Sequence, residues 1–268
     1  MFQQKKTLGL ALGSGGWRGS AHIGVIKTLE KAGIRIDYIA GASVGSLMGG
    51  TYAIDRDIEK LEKVFRDEIN FRRLLYAFSD PRPSWGVFKG DKMLKIWEGY
   101  FGKHKIEKTE VPFTALACDL LSGEAIELKK GDLGTAIRAS ISVPFVLKPV
   151  KIDGRRLIDG GAAVPVPAKT CRQMGADVVI AVNLYKNIFP INPEKMTSLG
   201  AVLKSSQVML HHLAAYSAQN ADLILNPDIE ETKNYSDPFS GFVKNKGTMS
   251  KGEMVINKNI EEIKKLLS

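Results

Sequence analysis

The chain has 268 residues, 44% hydrophobic and 25% charged, an ordinary globular composition with enough length for one substantial core. Its formal net charge of +9 favours anionic partners, and without a nucleic-acid module carrying aromatic platforms the preferred partner is an acidic lipid surface, not nucleic acid. No apolar run approaches the roughly 20 residues that span a bilayer, and Cys118 and Cys171 lie too far apart in sequence to suggest a disulfide framework, so a reducing, cytoplasmic setting is expected.

The first element is "TLGLAL" (7–12), a short apolar run ending in glycines and read as a buried strand. The two lysines before it imitate a signal peptide, but the run is broken by Gly9 and Gly13, and Trp17-Arg18 stand where a small-residue cleavage site belongs. Residues 21–32 space Ile23, Ile26 and Leu29 on one helical face, and Gly33 stops the helix. "IDYIA" (36–40) is the second strand, and "SLMGGTYAI" continues as a helix. Strand, glycine loop, helix, strand, tight turn and helix in that order predict parallel βαβ topology.

A charged helix is expected over 57–69, followed by a less regular stretch. Phe71, Leu74, Leu75, Phe78, Trp85 and Phe88, interleaved with Arg72, Arg73 and Arg82, predict a cap over an apolar pocket that also touches a lipid surface. "FTALACDL" and "GEAIEL" read as paired strands around Ser122-Gly123, and "DLGTAIRAS" as a short helix ending before Pro144. A buried strand at 176–184, a long helix within 195–220, a late strand in "ADLILNPDI" and a lysine-rich C-terminal helix complete the chain. No repeat or linker interrupts it, so residues 1–268 are read as one domain, a three-layer α/β/α arrangement around a central, mostly parallel sheet.

Three short motifs carry chemistry. Gly41-Ala42-Ser43-Val44-Gly45 matches G-x-S-x-G, the sharp strand-to-helix turn that presents a serine hydroxyl at the top of a sheet. Gly13-Ser14-Gly15-Gly16 occupies a strand-to-helix loop whose free N–H groups suit an anion. A dinucleotide loop is disfavoured, because the sixth position of G-x-G-x-x-G is Arg18 and the segment about 20 residues on runs straight into the serine turn. A P-loop is excluded by the lack of G-K-[ST]. The alternative makes the N–H groups of Gly15 and Gly16 an oxyanion hole facing the carbonyl that Ser43 attacks. The third motif is Asp159-Gly160-Gly161, an acid at a tight turn, weak evidence alone because Asp-Gly is common in hairpins. None of His22, His104, His211 and His212 follows a late strand as a hydrolase triad requires, so all four are read as surface or packing histidines. No metal-ligand cluster is visible, and neither metal nor cofactor is expected.

The combination of "GSGGWRG", "GASVG" and "DGG", with "AIRASISVPFVLKPV" before the acid, resembles the patatin-like phospholipase family over roughly residues 8–168, closest to the bacterial branch that also resembles neuropathy target esterase. The resemblance implies Ser43 as nucleophile, Asp159 as base, Gly15 and Gly16 as oxyanion donors, and Arg18 as the residue that orders the loop. Ser14 departs from the glycine of plant patatins, but it precedes the donor pair. The implied activity is a serine acyl hydrolase acting on lipid esters, most simply phospholipids or lysophospholipids, with peripheral contact to anionic membranes. The alternative is a non-catalytic lipid- or nucleotide-binding protein that retains the loop. An unperturbed carboxylate of pKa about 4 is a weak base, so the hole is expected to carry much of the rate.

Overall fold

The computed structural model describes residues 6–68, 80, 86–187, 196–229 and 247–268. Of the expected cap, Phe71, Leu74, Leu75, Phe78, Trp85, Arg72, Arg73 and Arg82 lie outside these residues. Phe88 lies within them, partly buried against the main core.

The chain opens with β1 (Leu8–Leu12), whose five residues are all buried, as expected of a central parallel strand. Then come α1 (Ser20–Lys31), β2 (Tyr38–Ala42), α2 (Val44–Ala53), α3 (Ile58–Glu68), β3 (Gly86–Phe88) and α4 (Asp91–Phe101). Next are β4 (Phe113–Asp119), β5 (Ala125–Leu128), α5 (Leu133–Ser140), β6 (Phe145–Leu147), β7 (Val150–Ile152) and β8 (Arg155–Asp159). The last elements are α6 (Ala168–Gln173), β9 (Val178–Val182), α7 (Ser198–Ser217), β10 (Leu223–Leu225) and α8 (Thr248–Leu267).

The main sheet has the order β10-β9-β1-β2-β4-β8-β7, with β5 also on β4. From β10 to β4 every pairing is parallel. β5, β8 and β7 are antiparallel additions, so the sheet is mostly but not wholly parallel. The period-2 alternation of β1 divides the core. Leu8, Leu10 and Leu12 join the cluster containing α1, α2 and α8 residues, whereas Ala11 faces Ala40, Ala42, Val179, Ala181 and Ala214 beneath α6 and α7. Helices thus cover both faces of the sheet. Among the described residues no helix is long and apolar enough to cross a membrane.

Several details differ from the sequence reading. β2 runs two residues further toward the serine turn than expected, because its ladder with β1 continues to Leu12↔Gly41. The β3–β6 pair, the β7–β8 hairpin, α4 and the six-residue α6 were not anticipated: three-residue strands and a short helix leave no readable period, and α4 lies in a stretch mixing charges, glycines and aromatics.

The important topological feature lies along β4. Leu116 pairs with Ala42 of β2 and with Glu127 of β5. One residue on, Ala117 pairs with Asp159 of β8 and with Ile126 of β5. Since β5 keeps one edge of β4 throughout, β2 and β8 must share the other. They run in opposite directions and end one residue apart in register, so their ends abut.

Candidate active site

Ser43 follows the last residue of β2, and Asp159 is the last residue of β8, so the abutting strand ends bring the two side chains together. Ser43 Oγ donates to Asp159 Oδ2 at 2.5 Å. The other carboxylate oxygen, Oδ1, accepts from the Gly161 N–H at 2.7 Å, and the Asp159 N–H donates to the Ser142 carbonyl at 3.0 Å. Both residues are only 7% exposed. Burial pushes the Asp159 carboxyl up to about 6, against the lowering effect of the Ser43 and Gly161 hydrogen bonds. The expectation of an unperturbed pKa near 4 is therefore corrected: desolvation makes Asp159 a stronger base than its residue type suggests.

Ser43 has φ 53° and ψ −123°, a left-handed backbone that is costly for a residue with a side chain. It immediately precedes α2, whose N-terminal, positive end therefore lies at Ser43. Gly45 is required by packing, since a Cβ there would lie 2.0 Å from the Leu12 carbonyl oxygen. The glycine lets α2 rest directly on the end of β1 and brings the serine turn beside the glycine loop.

The glycine loop continues from β1. The Gly13 N–H bonds the Val182 carbonyl at 3.1 Å, and the Ser14 N–H bonds the Pro165 carbonyl at 2.8 Å. The Gly13 carbonyl is met by His22 Nε2 at 2.7 Å. Those groups are committed to the scaffold. Among the described residues the N–H groups of Gly15 and Gly16 have no protein acceptor, the condition an oxyanion donor must meet. Leu184, just beyond β9, backs Gly15 so closely that a Cβ at Gly15 would lie 2.8 Å from Leu184 Cβ. Arg18 is buried, its guanidinium 5.2 Å from the Trp17 ring and 5.4 Å from that of Tyr185, so it pins the helical turn after Gly15 to the β9 loop. Burial, joined by the Asp159 charge, also pushes the Tyr185 phenol up.

The histidines lie elsewhere. His22 is fully buried beneath the loop, and desolvation lowers it to about 4, so it is neutral at physiological pH. His104 Nδ1 meets the Phe101 carbonyl, His211 Nδ1 meets the Tyr185 carbonyl at 2.6 Å, and His212 packs edge-on to His211. Cys118 and Cys171 are free and buried. Among the described residues no cluster of metal-ligating side chains occurs.

Sequence reasoning missed a layer of buried polar residues beneath the pair. The Ser43 N–H donates to Ser140 Oγ at 2.9 Å, and Ser140 Oγ lies 2.7 Å from Ser46 Oγ. Arg138, also buried, bonds Ser142 Oγ at 2.6 Å and the carbonyls of Lys89 and Lys148 at 2.5 and 3.1 Å. The available signal was the clustering of Arg138, Ser140 and Ser142 at the end of a helix with an otherwise apolar face.

A family model described as patatin-like phospholipase matches residues 10–171, more than half of the chain. An uncharacterized NTE family protein of Mycobacterium bovis is 40% identical over 175 residues, covering 65% of this chain and 48% of its own length. The patatin-like phospholipase domain-containing protein 6 of Mus musculus is 32% identical over 185 residues, covering 66% of this chain and 13% of its own. The matched region thus spans about half the length of the mycobacterial relative. Among solved structures, human GIVD cytosolic phospholipase A2 in complex with methyl gamma-linolenyl fluorophosphonate aligns with a TM-score of 0.48 at 11% identity, covering 98% of this chain and 59% of the other.

Proposed function

The chain belongs to the patatin-like phospholipase family, and on that premise we propose that it is a serine acyl hydrolase whose Ser43–Asp159 dyad cleaves the carboxylic ester bonds of phospholipids or lysophospholipids. Family membership supports a lipid hydrolase in general; the dyad and the substrate class are our reading. The observation that carries it is the 2.5 Å contact from Ser43 Oγ to a carboxylate buried enough to hold its pKa near 6.

The chemistry follows from the positions of the groups. Asp159 Oδ2 takes the Ser43 proton as Oγ attacks the acyl carbonyl carbon. The carbonyl oxygen becomes an oxyanion, and the N–H groups of Gly15 and Gly16, with the positive end of α2, stabilise it. The tetrahedral intermediate collapses, and the leaving alcohol takes its proton from Asp159. Water then attacks the acyl-enzyme with Asp159 again as base, releasing the fatty acid and restoring Ser43. No imidazole is needed, because a carboxylate in direct contact with the hydroxyl, its pKa raised by burial, replaces the usual relay.

The proposal extends to the surface from which substrate arrives. Leu121, in the β4–β5 turn, is 78% exposed, and Phe145, three residues after Ser142, is 75% exposed. Phe145 holds φ 72°, a left-handed backbone unusual for an aromatic residue. Lys148 and Lys151, close after Phe145 in sequence, are also exposed. Apolar tips beside lysines suit peripheral contact with an anionic bilayer on its cytoplasmic side. Co-sedimentation with anionic vesicles at low salt should fall for the Leu121→Ser, Phe145→Ser variant; equal binding of both proteins would remove this part of the reading.

The central test is a fluorophosphonate probe followed by an ester panel. Labelling confined to Ser43 and hydrolysis of lipid esters are expected. A folded protein that neither labels nor turns over would be a lipid- or nucleotide-binding relative instead.

A further inference from the structure

We propose that Ser140 is a positioning residue, and that the three-residue segment Ser140–Ser142 clamps nucleophile and base against each other. The inference rests on the dyad reading above, but its observations are independent of the dyad contact.

Proton placement in the buried network is forced. Ser46 Oγ donates its one proton to the Gly41 carbonyl at 2.6 Å, since a carbonyl only accepts. Ser140 must then donate to Ser46 Oγ across their 2.7 Å contact, and its remaining lone pairs receive the Ser43 N–H at 2.9 Å. The result is a one-way chain from Ser43 N–H through Ser140 and Ser46 to Gly41 C=O, stitching both limbs of the serine turn to the end of α5. Ser46 and Ser140 are fully buried, so no solvent competes.

Ser43 needs such a constraint. Its φ of 53° is a strained backbone for a residue with a side chain and persists only where the surroundings over-determine it. The Ser140 hydroxyl grips the Ser43 N–H itself, and rotation of φ toward ordinary values would swing that N–H off the hydroxyl.

Two residues on, the segment holds the base. The Ser142 carbonyl accepts the Asp159 N–H at 3.0 Å. Ser142 Oγ donates to the Arg138 carbonyl at 2.8 Å and accepts from Arg138 Nη1 at 2.6 Å. Arg138 is itself fastened to the backbone at Lys89 and Lys148. Nucleophile and base come from strands that meet only at their ends. The segment that bonds both backbones thus sets their separation.

The test is Ser140→Ala in the full chain, read by ester turnover, fluorophosphonate labelling rate and amide hydrogen exchange of the peptide covering 41–46. A positioning role predicts kcat lowered about 10–100-fold with KM unchanged, the scale on which small misplacements act. Labelling should slow in step and exchange at the turn should quicken. Ser140→Thr, which keeps the hydroxyl, should restore most of the rate. Thr28→Ala is the control: it removes another buried hydroxyl, bonded to the Gly24 carbonyl at 2.8 Å, and should leave kcat alone. If Ser140→Ala does not fold, Ser46→Ala breaks the next link and should show the same pattern more weakly. A folded Ser140→Ala protein with wild-type kcat and exchange overturns the clamp while leaving the dyad standing. Wild-type protein that neither labels nor hydrolyses overturns the dyad, and the exchange measurement then decides the clamp alone.

Discussion

The two halves of the site are built differently. On the parallel side, Ser43 and the glycine loop follow the ends of β2 and β1, neighbouring strands whose ladder runs Gly9↔Tyr38 to Leu12↔Gly41. Strand and following helix together fix each loop, so nucleophile and donors are placed by local secondary structure. On the antiparallel side, Asp159 arrives on β8, a five-residue strand holding β4 through only three pairs. Its placement depends on side chains and on the Ser142 carbonyl. A parallel βα junction is a self-contained device, whereas an acid delivered by a short antiparallel strand must be braced by its neighbours.

The largest effects should come from the contact between the halves. Ser43→Ala should abolish ester turnover, because the Ser43 hydroxyl is the one the Asp159 carboxylate contacts, and Asp159→Asn should cost about 10²–10⁴-fold as the general base is lost. Both are read by turnover, with circular dichroism to confirm folding.

On the parallel side, Gly15→Ala should slow turnover about 10²-fold or more, the scale for losing one oxyanion donor. Because the new Cβ would lie 2.8 Å from both Cβ and Cδ1 of Leu184, Leu184→Gly in the same chain, which removes both atoms, should return part of the rate. Failure of the double variant to recover would place the defect in the donors themselves, not in the fit of the loop.

The antiparallel side is tested by pH. Turnover should rise about tenfold per pH unit below 6 and level off above it, as Asp159 ionises with its pKa near 6. Stability should move the opposite way. With the carboxyl raised from 3.8 to about 6, the folded state holds a proton between those values that the unfolded chain has released. Stability therefore falls as pH rises through that window, by a total of about 3 kcal/mol. Asp159→Asn should accordingly be more stable than wild type at pH 8 by denaturant titration, with the gain gone below pH 4. A gain that persists there would have a cause other than buried charge.

The smallest effects should come from the histidines. Alanine at His104, His211 or His212 should leave turnover near wild type. His22→Ala should lower stability through the lost bond to the Gly13 carbonyl without abolishing turnover of the folded protein. A folded histidine variant as inactive as Ser43→Ala would overturn the dyad in favour of a triad.

The parallel half was legible in the sequence. Leu8, Leu10 and Leu12 alternate with small residues, Ile23, Ile26 and Leu29 repeat at helical spacing, and glycines mark both turns, so strand, loop and helix could be placed from local pattern alone. The three motifs also named Ser43 and Asp159 as partners through a family resemblance. Residues 116 apart in sequence carry no local sign of contact. Only the tertiary structure laid β2 and β8 end to end along one edge of β4, because that depends on which strand edges remain free once β5 has taken its place. It also decided the strength of the base, since desolvation is a property of the surroundings and Asp159 reads as an ordinary carboxylate until it is buried. The hydroxyls beneath the pair followed the same rule: a serine at a helix end looks like a cap or a surface residue until the fold places its oxygen against the Ser43 N–H.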